Sequence, residues 1–166
     1  MPSIDLNGED EWSLEGVRRR YLEYSRCLGV SNQLGLAAET LKQGSSDWTM
    51  PILKQVLDGV AAGDAACVQI AVDLVCSDTR LPFGKVFKDR ASDTLRRSEL
   101  SSPQSERLRT HAVARLRSGF VPPEFKRFAR LIRQIGLADH RQALEELVPT
   151  GPRIAWYRNY LLAPQR

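Results

Sequence analysis

The chain has 166 residues, 42% hydrophobic and 27% charged, which suits a globular protein large enough for a real core. No apolar run approaches the ~18–20 residues that a membrane helix needs, and the start "MPSIDLNGEDEW" lacks the basic and apolar blocks of an export signal, so a cytoplasmic location is expected. The net charge of +4 is uneven: residues 1–84 carry 7 Lys/Arg against 12 Asp/Glu, and residues 85–166 carry 17 against 8. Such polarity either steers a charged partner or draws the two halves together.

Residues 1–11 read as an acidic, flexible lead-in, and 12–166 as a single all-helical domain. Leu14, Val17, Tyr21, Tyr24 and Leu28 recur on one helical face, with Ser13 to cap the start and Gly29 to end it. A short second helix is expected around Leu34, Ala37, Ala38 and Leu41, stopped by Gly44. Asp47 opens a third, with Pro51 in its first turn and Met50, Leu53, Leu57 and Val60 as its stripe. Gly63 closes that helix and Asp64 caps a fourth, whose apolar residues from Cys67 to Val75 point to cover on most sides.

"SDTRLPFGK" breaks the pattern before a fifth helix over roughly 85–98. Ser102 and Pro103 announce a sixth, Pro123 and Glu124 a seventh, and Asp139 to Gln142 has capping-box spacing for an eighth. After Pro149, Gly151 and Pro152 comes a last helix, "RIAWYRNYLL". No alternating run reads as a strand, so the fold class is all-α, with about eight or nine short helices.

The stretch Met50–Cys76 resembles a HEAT-type helical repeat. Pro51 stands early in its first helix, Asp64 caps its second, and Val68, Ala71 and Leu74 follow at the spacing of that family, with Gln69 where an Arg is usual. "FARLIRQIGLADHRQALEELV" looks like another such pair. The resemblance implies a short, irregular α-solenoid of helices in antiparallel pairs, in which stacking makes the core. The rival architecture is an ordinary compact helical domain. Under the solenoid reading Cys67 and Cys76 are small packing residues.

Recognisable chemistry is sparse. Three cysteines argue against a disulfide framework, Cys67 and Cys76 lack metal-ligand spacing, and His111 and His140 are the only histidines. The phosphate loop, the GxSxG elbow and HExxH are absent, and the acidic residues are scattered. No catalytic residue, cofactor or metal is therefore expected.

Two candidate surfaces remain. Lys126, Arg130 and Arg133 fall at i, i+4 and i+7 opposite an apolar face, with Arg127 beside them. Arg107, Arg109 and Arg117 of the sixth helix join them if the two helices are neighbours, as a contact for nucleic acid or an acidic partner. Arg153, Trp156 and Tyr160 offer the residue types of protein-binding hot spots. The leading expectation is a non-catalytic protein–protein interaction module, an adaptor, inhibitor or immunity-type protein. Nucleic-acid binding by the basic half is the alternative. A third reading, an enzyme like the HEAT-like alkylpurine DNA glycosylases, rests on the resemblance, and no residue here is placed as that family's catalytic aspartate.

Overall fold

The computed structural model describes residues 3–164; residues 1 and 2 of the predicted lead-in lie outside that range. The described residues contain eight α-helices and one small sheet. The chain divides into two compact units, 1–98 and 99–166. No helix among the described residues is long and apolar enough to cross a membrane.

The first α-helix of unit 1 is α1 (Leu14–Leu28), bounded as its sequence predicts. The Ser13 hydroxyl accepts from the Gly16 N–H, and Gly29 ends the helix at φ 67°, a left-handed conformation that glycine adopts without strain. The consecutive Arg18, Arg19 and Arg20 within α1 do not share one solvated face. Glu15 pairs with Arg18 at 3.0 Å, while Arg20 turns inward.

The second helix expected over Leu34–Leu41 does not form. Thr40–Gln43 (β2) and Ser46–Thr49 (β3) make a hairpin, and Ser3–Asp5 (β1) pairs in parallel with β3, giving the order β1-β3-β2. Gly44, expected as a helix stop, sits at φ 64° in the two-residue hairpin loop instead. The same positive φ serves either end. Ile4, Trp48 and Leu41 are aligned across the three strands, so they share one face. Part of the acidic lead-in is thus built into a sheet, and Asp47 lies in β3 rather than opening a helix.

The buried Asn7 ties that sheet to the next helix. Its Oδ1 accepts from the Ile52 N–H at 2.8 Å, and its Nδ2 donates to the Met50 carbonyl at 3.3 Å. Helix α2 (Leu53–Ala61) and helix α3 (Ala65–Cys76) then pack on each other. The Asp64 carboxylate accepts from the Cys67 N–H, the cap expected for α3. Helix α3 also packs on α1 and on α4 (Gly84–Leu95), which explains its apolar residues on most sides.

Unit 2 contains α5 (Ser102–Arg117), α6 (Phe125–Ile135), α7 (Arg141–Glu145) and α8 (Pro152–Leu162). The α5 cap is Ser101, not Ser102, in a complete capping box with Gln104. The capping box read from Asp139 does not form: residues Ala138–His140 make a 3-10 turn, and α7 follows without a side-chain cap. Phe125, Phe128, Ala129, Leu131 and Ile132 are buried, so the inner face of α6 lies where its sequence places it.

Candidate partner-binding surface

Each arginine near a helix end in unit 2 has a choice between solvent and a terminal carbonyl. The last carbonyls of a helix have no partner within it and carry partial negative charge, so a guanidinium in reach satisfies both needs. Arg109 takes this option. Its Nε donates to the Gly136 carbonyl at 2.8 Å and its Nη2 to the Ile135 carbonyl at 3.0 Å, closing the end of α6. Arg158 does the same for α7, donating to the Leu144 and Glu145 carbonyls. Arg133 donates to the Tyr160 carbonyl at 3.1 Å and the Pro164 carbonyl at 3.0 Å, at the end of α8.

The predicted basic stripe therefore splits. Arg109 and Arg133 are tied to helix ends, whereas Lys126, Arg127, Arg107 and Arg117 are exposed and Arg130 is half-buried. Lys126, Arg117, Arg130 and Arg153 have no carboxylate partner among the described residues. Helices α5 and α6 are in contact, as the grouping of their arginines required. We expect Arg109→Ala to cost about 2 kcal/mol of unit 2 stability, the loss of two charge-assisted bonds. Lys126→Ala should stay within about 0.5 kcal/mol of wild type. Chemical unfolding of both variants checks the difference.

The aromatic helix is not separate from the stripe. Trp156 and Tyr160 are one turn apart on α8 and stack with centroids 5.3 Å apart and planes 5° from parallel. The Arg133 guanidinium lies over the Tyr160 ring, 4.7 Å from its centroid. Phe125 meets Tyr157 edge-on at 4.9 Å, a further contact between α6 and α8. Trp156 remains 55% exposed, and Arg153 stands exposed one turn before it.

Within unit 2, sequence reasoning missed two exposed apolar side chains, Phe120 and Val148. They flank loops that approach closely where a Cβ on Gly119 would come 2.8 Å from Thr150 Oγ1. The composition of these loops, "SGFVPP" and "VPTGP", signals turns and carries no sign of what their apolar residues meet. His111 is half-buried against Phe128, with ring centroids 5.7 Å apart.

Unit 1 holds the other titratable cluster. Tyr21 donates to the Asp64 carboxylate at 2.7 Å and accepts from the Leu34 N–H at 2.7 Å. Burial pushes its phenol up from the ordinary value. Burial, with the Asp64 carboxylate nearby, also pushes the Cys67 thiol well up, so it stays neutral and unreactive across the physiological range. Cys27 is exposed. Alkylation at pH 8 should label Cys27 promptly and Cys67 only on unfolding, which mass spectrometry of digested protein reads directly. No group of three or more His, Cys, Asp or Glu side chains among the described residues is arranged to hold a metal ion.

Comparison with protein-family models, with curated proteins and with solved structures finds no match for this chain.

Proposed function

We propose that the protein is a non-catalytic protein–protein interaction module, an adaptor, inhibitor or immunity-type protein that binds through the α6–α8 face of unit 2. The observation that carries this reading is the Trp156 indole, 55% exposed yet held flat against Tyr160. A large aromatic ring already fixed in place loses little conformational freedom on binding, which is why tryptophan, tyrosine and arginine dominate interface energetics. The HEAT-like fold reading belongs with it. Its support is the α2–α3 pair, joined through Gly63 and capped by Asp64. The odd number of cysteines fits a reducing, cytoplasmic setting.

Capture from a source lysate by wild type and by Trp156→Ala, each with and without nuclease, tests the reading. The expected result is a stoichiometric protein that survives nuclease and is lost with Trp156→Ala, since truncating a central aromatic anchor costs about 2 kcal/mol or more. Equal capture by both forms, or material that disappears with nuclease, overturns it.

The second reading is nucleic-acid binding by the exposed cations Lys126, Arg127, Arg107 and Arg117. It calls for an affinity that falls steeply with salt.

A further inference from the structure

Resting on the interaction reading above, we propose that the α6–α8 face takes an acidic, extended segment of its partner protein, with one apolar side chain laid against Trp156. Unit 2 carries 12 Lys/Arg against 6 Asp/Glu over residues 99–166. Three of its acids are already engaged within the unit. Glu106 meets His140 at 2.7 Å, Glu145 lies 3.6 Å from Arg141, and Glu146 accepts from Gln142. The unit therefore keeps an excess of positive charge, and its exposed members include Lys126 on α6 and Arg153 on α8.

Lys126, Arg130 and Arg133 line one side of α6, and Arg133 touches Tyr160, on which Trp156 stacks. Arg133 thus sets the C-terminal end of the stripe beside the Tyr160–Trp156 pair, and Arg153 adds a cation one turn before Trp156. Lys126 and Arg130 are about 6 Å apart along the helix axis at 1.5 Å per residue. Carboxylates on alternate residues of an extended chain lie about 7 Å apart on one side, so two of them match the two cations. Neither cation has a carboxylate partner in its own unit among the described residues. A partner that supplies carboxylates gains charge pairing and, at the indole, apolar burial.

A nucleic-acid strand fits these features less well. Sequence-tolerant binding of single strands uses successive aromatic platforms along a continuous cationic track. Here Tyr160 already stacks on Trp156, and the guanidiniums of Arg109, Arg133 and Arg158 face helix-end carbonyls. On α8 the exposed ring is that of Trp156, with Arg133 beside its stacking partner Tyr160 and Arg153 one turn before it, the layout of a single anchor in a protein interface.

Purified full-length protein is titrated with three probes: a synthetic peptide with one leucine between carboxylates on alternate residues, the same peptide with serine for leucine, and oligo(dT) of equal charge. The leucine peptide should bind about tenfold more tightly than the serine peptide, and Trp156→Ala should remove that difference. Lys126→Glu and Arg130→Glu should each weaken both peptides by about tenfold, and added salt should weaken them further. Circular dichroism confirms that each variant is folded. Tighter binding of oligo(dT) than of either peptide overturns the proposal and makes this a nucleic-acid face. Absence of leucine-dependent, salt-sensitive peptide binding also overturns it. In that case a lysate protein still captured through Trp156 leaves the interaction reading standing, and loss of that capture removes both.

Discussion

Replacing Asp73 with alanine destabilises unit 1 by about 3–5 kcal/mol. Asp73 is the one charged residue of α3, and its side chain is only 7% exposed. A carboxylate taken this far from water persists only if its oxygens are matched. Tyr24 donates to it at 2.6 Å, Gln69 at 3.3 Å, and the Arg20 guanidinium stands 3.5 Å away. Arg20 is itself held in place, lying 4.1 Å over the Trp12 ring and donating to the Glu11 carbonyl at 2.7 Å. Its side chain is 13% exposed, so removing the carboxylate leaves a nearly buried cation without its counter-charge. Asp73→Asn keeps an acceptor for Tyr24 and costs less, about 1–3 kcal/mol. Replacing both partners, as in Arg20→Met with Asp73→Leu, costs less than the two single changes added together, because no unpaired charge remains. Urea unfolding in a Trp156→Phe background reads this cleanly, since the emission then comes from Trp12 and Trp48 of unit 1. A loss under about 1 kcal/mol for Asp73→Ala means that the guanidinium finds another solvated position.

The helices were largely legible because their signals are local. Ser13 and Gly29 bracket α1, Asp64 caps α3, and the spacing of Phe125, Phe128 and Ile132 sets the inner face of α6. The sheet was not legible. Ile4, Leu41 and Trp48 are the only apolar residues of their strands, so alternation has nothing to repeat, and β1 finds β3 across more than forty residues of chain. The candidate surface was readable by residue type and unreadable by partner. A helical wheel puts Arg133 on an outward stripe, but not beside the carbonyls of Tyr160 and Pro164 that end another helix. Trp156 and Tyr160 stack at the i, i+4 spacing visible in the sequence, whereas the contact of Arg133 with Tyr160 is tertiary. Asp73 shows a signal passed over: a lone carboxylate in an otherwise apolar helix calls for a buried partner, and the neighbouring helix carries Arg20 and Tyr24.

Gly16→Ala should cost unit 1 about 3 kcal/mol, although alanine is the better helix former by about 1 kcal/mol. The reason is space. A Cβ at this position would stand 2.2 Å from the Asp10 carbonyl oxygen and under 3 Å from the backbone of Glu11. Both obstacles are main chain, so no side-chain rotation relieves them. The Asp10 carbonyl also accepts from the Ser13 hydroxyl at 2.6 Å, the hydroxyl that caps α1. Displacing it therefore disturbs the cap and the 3-10 turn Asp10–Trp12 together. That turn places Trp12, which is 1% exposed, beneath the Arg20 guanidinium. Gly29→Ala is the matched control. Nothing lies within 4 Å of its added Cβ, and its cost is the left-handed backbone alone, about 1–2 kcal/mol. Unfolding followed by Trp12 and Trp48 emission should rank Gly16→Ala as the less stable of the two. The reverse order means that the 10–12 turn moves aside cheaply, and Trp12 emission shifted to longer wavelength in folded Gly16→Ala is the sign of that movement.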